Sequence, residues 1–109
     1  STSPFAPAVG FVGGTPAVSA VTVSPSTYSA TAATYAEYVL TIAVTATDFA
    51  DTAVITSITG DAPVELTQID STHFKVQISA DCAASDTAVI TFASRFDPTV
   101  KATHTITVS

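Results

Sequence analysis

The sequence predicts an all-β protein: an antiparallel β-sandwich of about seven strands, preceded by an extended N-terminal arm. Short runs rich in Val, Ile and Thr alternate in polarity with a period of two. Segments rich in Asp, Ser, Gly and Pro separate these runs at intervals of about 10 to 15 residues. This rhythm is typical of two packed antiparallel sheets. We divide the chain into an arm with its hinge, residues 1–17, and a sandwich, residues 18–109.

Seven runs carry the alternation. The run HFKVQIS shows it clearly, because Phe74, Val76 and Ile78 fall on one face while Lys75 and Gln77 fall on the other. A strand with one apolar face is half-buried against a core. In chain order, the predicted strands are residues 19–24, 37–46, 52–58, 64–69, 73–79, 87–94 and 101–109.

The Ala-rich segment 26–38 is the one candidate helix. Its β-branched Thr residues disfavour a helix, and it has no continuous apolar stripe. We therefore expect a loop or a strand edge there.

Several stretches of the sandwich region resemble a known family. AVTVSPST at 20–27 resembles the opening of bacterial immunoglobulin-like (Big) domains, YVLTIAVTA their second strand and DTAVITFAS their penultimate strand. The resemblance covers residues 18–109. The Trp usual in the third strand of the family is replaced here by Ile55 or Ile58, and AASD replaces its Gly-rich turn. The resemblance implies an immunoglobulin-like sandwich of the kind found in surface adhesins, phage structural proteins and extracellular assemblies.

The charge pattern argues against several partners. The net charge is −6, and the only basic residues are Lys75, Arg95 and Lys101. Nucleic-acid binding needs a basic surface that neutralises phosphates, so we expect no nucleic-acid partner. No window of about 18 apolar residues occurs, so no membrane span is expected either.

Catalytic chemistry is not indicated. No catalytic motif such as G-x-S-x-G is present. His104 shares its strand face with Ile106 and Val108, which predicts a packed, neutral histidine. Cys82 is the only cysteine and is interpreted as a buried apolar side chain or, alternatively, as one half of an interchain disulfide. We expect no enzyme activity, no catalytic residues and no cofactor.

Metal binding is not indicated either. One Cys and two distant His do not form a zinc site. Asp48 and Asp51 flank one turn, and Asp81 and Asp86 flank another. Such residues usually accept hydrogen bonds from the turn backbone, so no metal site is assigned. Calcium at one of these loops stays an alternative.

Two tyrosines are candidate surface contacts. Tyr28 and Tyr35 lie in the Ala-rich segment, where they could meet a sugar or a neighbouring subunit. Packed rings are the simpler interpretation of both.

The N-terminal arm is the strongest functional candidate. The stretch PFAPAVGFVGG, residues 4–14, has no charge. With a period of two, one side carries the bulky residues Phe5, Pro7, Val9 and Phe11, and the other carries Ala6, Ala8 and Gly10. Burying the bulky side would contribute on the order of 6 to 10 kcal/mol. Val12 belongs to the predicted contact segment, and Gly13 and Gly14 form the hinge. The arm could cover its own sandwich, extend the sheet of a neighbouring subunit, or be disordered in the isolated protein.

We interpret the chain as a non-catalytic subunit of an extracellular, cell-surface filament that resembles a pilus. Its copies would assemble by donating the arm as a β-strand, because an uncharged surface suits a subunit covered by its own copies. One alternative is a phage capsid-decoration or tail domain on a virion, with a capsid protein as partner. Another is a carbohydrate-binding adhesin module.

Overall fold

The structure is a computed structural model that describes residues 14–109, and residues 1–13 lie outside the described part. Eight strands are present where about seven were predicted, and the described residues include no helix. The strands are β1 (Ala17–Ser24), β2 (Thr27–Ala30), β3 (Ala36–Thr47), β4 (Val54–Gly60), β5 (Val64–Asp70), β6 (His73–Ile78), β7 (Thr87–Ser94) and β8 (Lys101–Val108).

The strands form two four-stranded sheets. The first has the order β1-β3-β6-β5 and the second the order β2-β8-β7-β4. All pairs are antiparallel except β2 and β8, which are parallel. The predicted all-β sandwich is confirmed.

The chain direction defines two ends of the sandwich. We call the end that contains Gly14, Asp48 and the start of β4 the lower end, because Ala17 pairs with Thr47 there. The upper end contains the end of β4, the start of β5 and Ser109. β4 therefore runs upward, and the three residues 61–63 connect it to the downward β5.

The eighth strand comes from the Ala-rich segment. No helix forms there; instead, β2 adds to the upper half of β8 after the cis Ser24–Pro25 peptide. Only four residues pair, with Thr27 opposite Thr105 and Ala30 opposite Val108. The expected strand edge is thus a short parallel strand, and β1 and β2 together contribute to both sheets.

The β4 boundary differs from its prediction. The sequence pattern placed this strand at residues 52–58, whereas it spans Val54–Gly60. Asp51 caps the preceding turn by accepting the Ala53 N–H at 2.9 Å, and it also binds the Arg95 side chain at 2.6 Å. These bonds hold residues 51–53 outside the ladder.

The core lies between the two sheets and follows the predicted alternation. Every second residue of β6 and β7 is buried, and so are His104, Ile106 and Val108 of β8. Phe74 and Phe92 meet edge to face across the sheets, with ring centroids 5.1 Å apart. The fully buried apolar side chains are Phe92, Leu40, Ile78, Ile90, Ile106, Val76 and Val108, with Ile42 nearly so.

Truncation of Leu40 to Ala tests this core. Leu40 is completely buried in the middle of β3. Removing a buried leucine side chain leaves a cavity, so we expect the free energy of unfolding to fall by about 2–5 kcal/mol. The adjacent Val39 is exposed on the outer face of the same strand, and Val39→Ala should cost less than about 1 kcal/mol. Urea denaturation of both variants measures the difference, and equal losses would contradict the assigned faces.

Candidate functional site at an open sheet edge

His104 is a buried structural residue. Its side chain is fully buried, with Nδ1 2.7 Å from the Pro25 carbonyl oxygen and Nε2 2.8 Å from the Tyr38 hydroxyl. A carbonyl oxygen only accepts, so Nδ1 carries the proton and Nε2 accepts the Tyr38 O–H. Burial lowers the pKa of His104, and the hydrogen bond to Pro25 opposes this effect. The ring is therefore a neutral link between β8, β3 and the β1–β2 connection.

The two candidate tyrosines lie in different surroundings. The Tyr28 ring stacks on Tyr38, with centroids 4.0 Å apart, and packs against the core. Tyr35 is half exposed; its hydroxyl donates to Glu37 at 2.8 Å and accepts from the Gln77 amide at 2.8 Å. Of the two candidate tyrosines, Tyr35 is therefore the more exposed.

The single thiol and the acidic turns have structural partners. Cys82 is buried, and its Sγ donates to the Thr31 carbonyl at 3.4 Å. Asp48 and Asp86 accept backbone N–H groups from Thr15 and Ala83. Among residues 14–109, no three His, Cys, Asp or Glu side chains lie together as metal ligands would.

Most of the predicted arm lies outside the described residues, namely Phe5, Pro7, Val9, Phe11, Val12 and the hinge residue Gly13. The other hinge residue, Gly14, lies at the lower end. There the Thr15 N–H donates to the Asp48 carboxylate at 3.0 Å. A Cβ atom on Gly14 would lie 2.8 Å from Asp48 Oδ1, so a side chain there would displace that carboxylate. Gly14, to which the arm is joined in the sequence, therefore lies beside Asp48.

The turn after β3, which contains Asp48, has a backbone conformation that is unusual for its residues. Asp48 and Phe49 have φ values of 54° and 62°, and the Ala50 N–H closes the turn on the Thr47 carbonyl at 3.1 Å. A turn with two positive φ angles favours Asn or Asp followed by Gly. A phenylalanine in the second position is strained, and its side chain is fully exposed. The fold gains nothing from this ring.

The four edge strands of the described sandwich differ in their protection. Natural edge strands are kept from pairing with other chains by charge, bulges or short length. The register of β1 shifts between Val18 and Ala20, and β2 has only four residues. β5 carries Glu65 and Asp70 and also has a register shift. β4 has seven residues, no charge, no proline and no register shift.

The inner face of β4 is also poorly covered. Thr56 and Ile58 pair with the buried Phe92 and Ile90, so their side chains point toward the core side of the sheet. Even so, Thr56 is exposed and Ile58 is 40% exposed. On the facing strand β5, Leu66 is half-buried and Gln68 is exposed. We call the partly exposed inner faces of these two strands the edge cleft; its residues are Val54, Thr56, Ile58, Leu66 and Gln68.

The hydrogen-bond pattern shows which backbone groups of β4 do not pair with β7. Just beyond the two ends of the ladder, the Arg95 N–H donates to the Ala53 carbonyl and the Asp61 N–H donates to the Thr87 carbonyl, each at 2.9 Å. Hydrogen-bonded and non-hydrogen-bonded pairs alternate in an antiparallel ladder. Odd-numbered residues of β4 therefore bond to β7. The backbone groups of Val54, Thr56, Ile58 and Gly60 are in the phase that points to the open edge, and the side chains of Val54, Thr56 and Ile58 face the edge cleft.

Sequence reasoning predicted β4 but not its exposure. Strand order depends on long-range pairing, which the local pattern does not contain. Of the two isoleucines in this strand, Ile55 and Ile58, the local alternation does indicate that they lie on opposite faces, and the register places Ile58 on the inner one.

Comparison with known proteins identifies the fold. No family model matches the chain, and no curated protein matches it. The described sandwich is similar to titin domain M7, with 13% identity over 87% of this chain and 99% of that one, and a TM-score of 0.50. The fold is immunoglobulin-like. The S-layer protein SbsC domains 4 and 5 also match, with 15% identity over 86% of this chain, 53% of that one and a TM-score of 0.49.

The chain thus spans about half the length of the S-layer structure that it matches. In residues 14–109 of this immunoglobulin-like chain, no helix is long and apolar enough to cross a membrane.

The pKa of His104 predicts a pH dependence of stability. Burial lowers this pKa in the folded protein, whereas an unfolded histidine titrates near pH 6.5. The unfolded state therefore binds the proton first, and the free energy of unfolding should decrease as the pH falls from 8 to 5.5. Urea denaturation across this range measures the slope. His104→Gln should flatten it and His73→Gln should not; an unchanged slope in His104→Gln would refute the assignment.

Replacement of Phe49 tests the strained turn. Glycine adopts positive φ without steric cost, and the exposed ring contributes no packing. Phe49→Gly should therefore raise the free energy of unfolding by about 1 kcal/mol. Phe96 is also an exposed phenylalanine in a turn, but it has no positive φ, so Phe96→Gly should give no gain. Thermal and urea denaturation compare the two, and a loss of stability in Phe49→Gly would show that the ring supports the fold.

Proposed function

We propose that the protein is a non-catalytic structural subunit of an extracellular, cell-surface filament, in which each copy donates its N-terminal arm as a β-strand to a neighbouring copy. The observation that carries this proposal is the unprotected edge of β4. Among the described edge strands, β4 is the one that combines an uncharged row of backbone groups and an unshifted register with inward-facing side chains that are left partly exposed.

The arm has the chemistry that this edge requires. A strand that adds to a sheet edge gains affinity from main-chain hydrogen bonds and specificity from alternate side chains. The bulky side of the arm suits a cleft that leaves Ile58 and Leu66 partly exposed. Its small side would face solvent, above the outer face of β4.

Charge supports contact at the same edge. The chain carries a net charge of −6, so two copies repel each other at long range. Acidic residues flank β4 at Asp51 and Asp61, but residues 54–60 carry none. The edge of β4 is therefore a place where two copies can approach without placing like charges together.

The donated strand would extend a complete sandwich. All eight described strands are paired, and the apolar core is assembled from residues 21–108. The arm would therefore supply association and is not needed to complete the core. This makes each copy stable before assembly.

The extracellular and non-catalytic parts of the proposal have their own support. The sequence resembles Big domains, which occur in surface adhesins and extracellular assemblies, and this resemblance supports an extracellular location. His104 and Cys82 are buried with structural hydrogen-bond partners, which favours a scaffold over a catalyst.

Deletion of residues 1–13 tests arm-dependent assembly. Because the core lies within the described residues, the truncated protein should keep its unfolding transition but sediment as a monomer. The full chain should form larger species under the same conditions, visible as filaments by negative-stain electron microscopy. Assembly of the truncated protein like the full chain would rule out the arm as the connector.

Lysine substitutions locate the surface that receives the arm. Ile58→Lys places a charge in the edge cleft, and the full-length variant should lose most self-association while remaining folded. Ile69→Lys is the matched control, because Ile69 is similarly exposed on β5. Loss of assembly in both variants, or in neither, would contradict a site at β4. Monodisperse full-length protein would instead favour a capsid-decoration or tail domain that binds a different protein.

A further inference from the structure

We infer that the arm pairs with β4 in the parallel direction, with Pro7 opposite Thr56, and that the donor is a second copy joined head to tail. This inference rests on the proposed function and adds the direction, register and polarity of the assembly. It places residues 5–11 of one copy alongside Val54–Gly60 of the next.

The direction follows from the backbone of β4. The residues whose N–H and C=O groups point to the open edge are also those whose side chains face the edge cleft. If the arm paired with β4 in the antiparallel direction, each edge-facing residue of β4 would exchange hydrogen bonds with the arm residue directly opposite it. The side chains of these two residues would lie on the same face of the sheet. An arm with its bulky side in the cleft would then have to donate an N–H from Pro7, which has none.

Parallel pairing removes this conflict. In a parallel pair, every second residue of one strand bonds to the two residues that precede and follow the residue opposite it. The β2–β8 pair of this molecule shows the pattern: Thr105 lies opposite Thr27, and its N–H donates to the Ser26 carbonyl at 2.9 Å. When this rule is applied to the arm and β4, the arm donates backbone N–H groups only from the residues of its small side and from Val12. The four donors are Ala6, Ala8, Gly10 and Val12, and none is proline.

The register then matches residue by residue. The arm segment 5–11 and β4 both have seven residues. Val9 falls beside Ile58, the most exposed apolar side chain of the cleft. Phe11 falls beside Gly60, which has no side chain of its own to cover the upper end of β4. Pro4 contributes only its carbonyl oxygen, so neither proline costs a ladder hydrogen bond.

Chain reach requires a second copy. In the parallel arrangement, Phe11 lies at the upper end of β4, whereas Gly14 of the same chain is held at the lower end beside Asp48. Seven residues of strand span about 20–23 Å, while the three steps from residue 11 to residue 14 cover at most about 11 Å. The arm of one copy therefore cannot make this contact with its own β4.

The resulting contact is directional, and the assembly that it builds does not close into a ring. The lower end of the donor meets the upper end of the acceptor, and the upper end of the donor is left to repeat the contact. A head-to-tail interface of this kind generates an open chain. It also brings the exposed ring of Phe49, next to Asp48, to the junction between two subunits.

Disulfide trapping between two copies tests the direction. All variants carry Cys82→Ser, which removes the native thiol and keeps a hydrogen-bond donor. One full-length protein carries Ala6→Cys. It is mixed either with Ile55→Cys, its parallel partner, or with Thr59→Cys, its antiparallel partner, and oxidised with glutathione disulfide. Residues 55 and 59 are both exposed on the outer face of β4, so folding should persist. Non-reducing electrophoresis measures the dimer.

We expect the Ala6→Cys and Ile55→Cys pair to give several-fold more cross-linked dimer than the Ala6→Cys and Thr59→Cys pair. The mixture of Ala8→Cys with Ser57→Cys cross-links in either direction, because these residues are central to both segments. A dominant product with Thr59→Cys would overturn the parallel direction and leave donation standing. A single chain that carries both Ala8→Cys and Ser57→Cys should cross-link between copies, and closure of this disulfide only within single chains would overturn the second-copy donor. No product in any mixture, with assembly unchanged by deletion of the arm, would refute the proposed function itself.

Discussion

In a β-strand, two properties of each residue alternate together: the face on which its side chain lies, and the side toward which its backbone forms hydrogen bonds. Most of this structure depends on that coupling. In β7 and β8, the inward-facing residues bond to each other, so the core and the ladder reinforce one another. In β4, the inward-facing residues turn their backbone groups away from the sheet. The same rule that builds a closed core between the central strands leaves a row of donors and acceptors at one side.

A small polar cluster holds the other side of the sandwich. His104 of β8 joins Tyr38 of β3 and the carbonyl of Pro25, so one ring connects both sheets to the point where the N-terminal strand changes sheet. Each polar atom is satisfied, which makes a buried imidazole tolerable in an apolar core. The two sides of the molecule therefore differ: one is tied by a hydrogen-bonded network, and the other ends in an unprotected strand.

The sequence pattern predicted what is local. Period-two alternation located seven strands within a few residues, and the apolar neighbours of His104 indicated its burial. β2 was not assigned as a strand because its four residues gain their structure from β8, more than 70 positions away. The edge position of β4 depends likewise on sheet order. The positive φ of Phe49 was missed because aromatic residues rarely occupy such turns, so composition gives no warning.

The parallel β2–β8 pair has a mechanical consequence. The first described residue, Gly14, and the last, Ser109, lie at opposite ends of the sandwich, so tension on the chain pulls β1 and β2 downward and β8 upward. Parallel neighbours drawn in opposite directions are loaded in shear, and their hydrogen bonds carry the force together instead of opening one at a time. The β2–β8 pair, with the bonds between Ser109 and Ala30 and Ala32 at its end, would therefore share such a load over all of its hydrogen bonds.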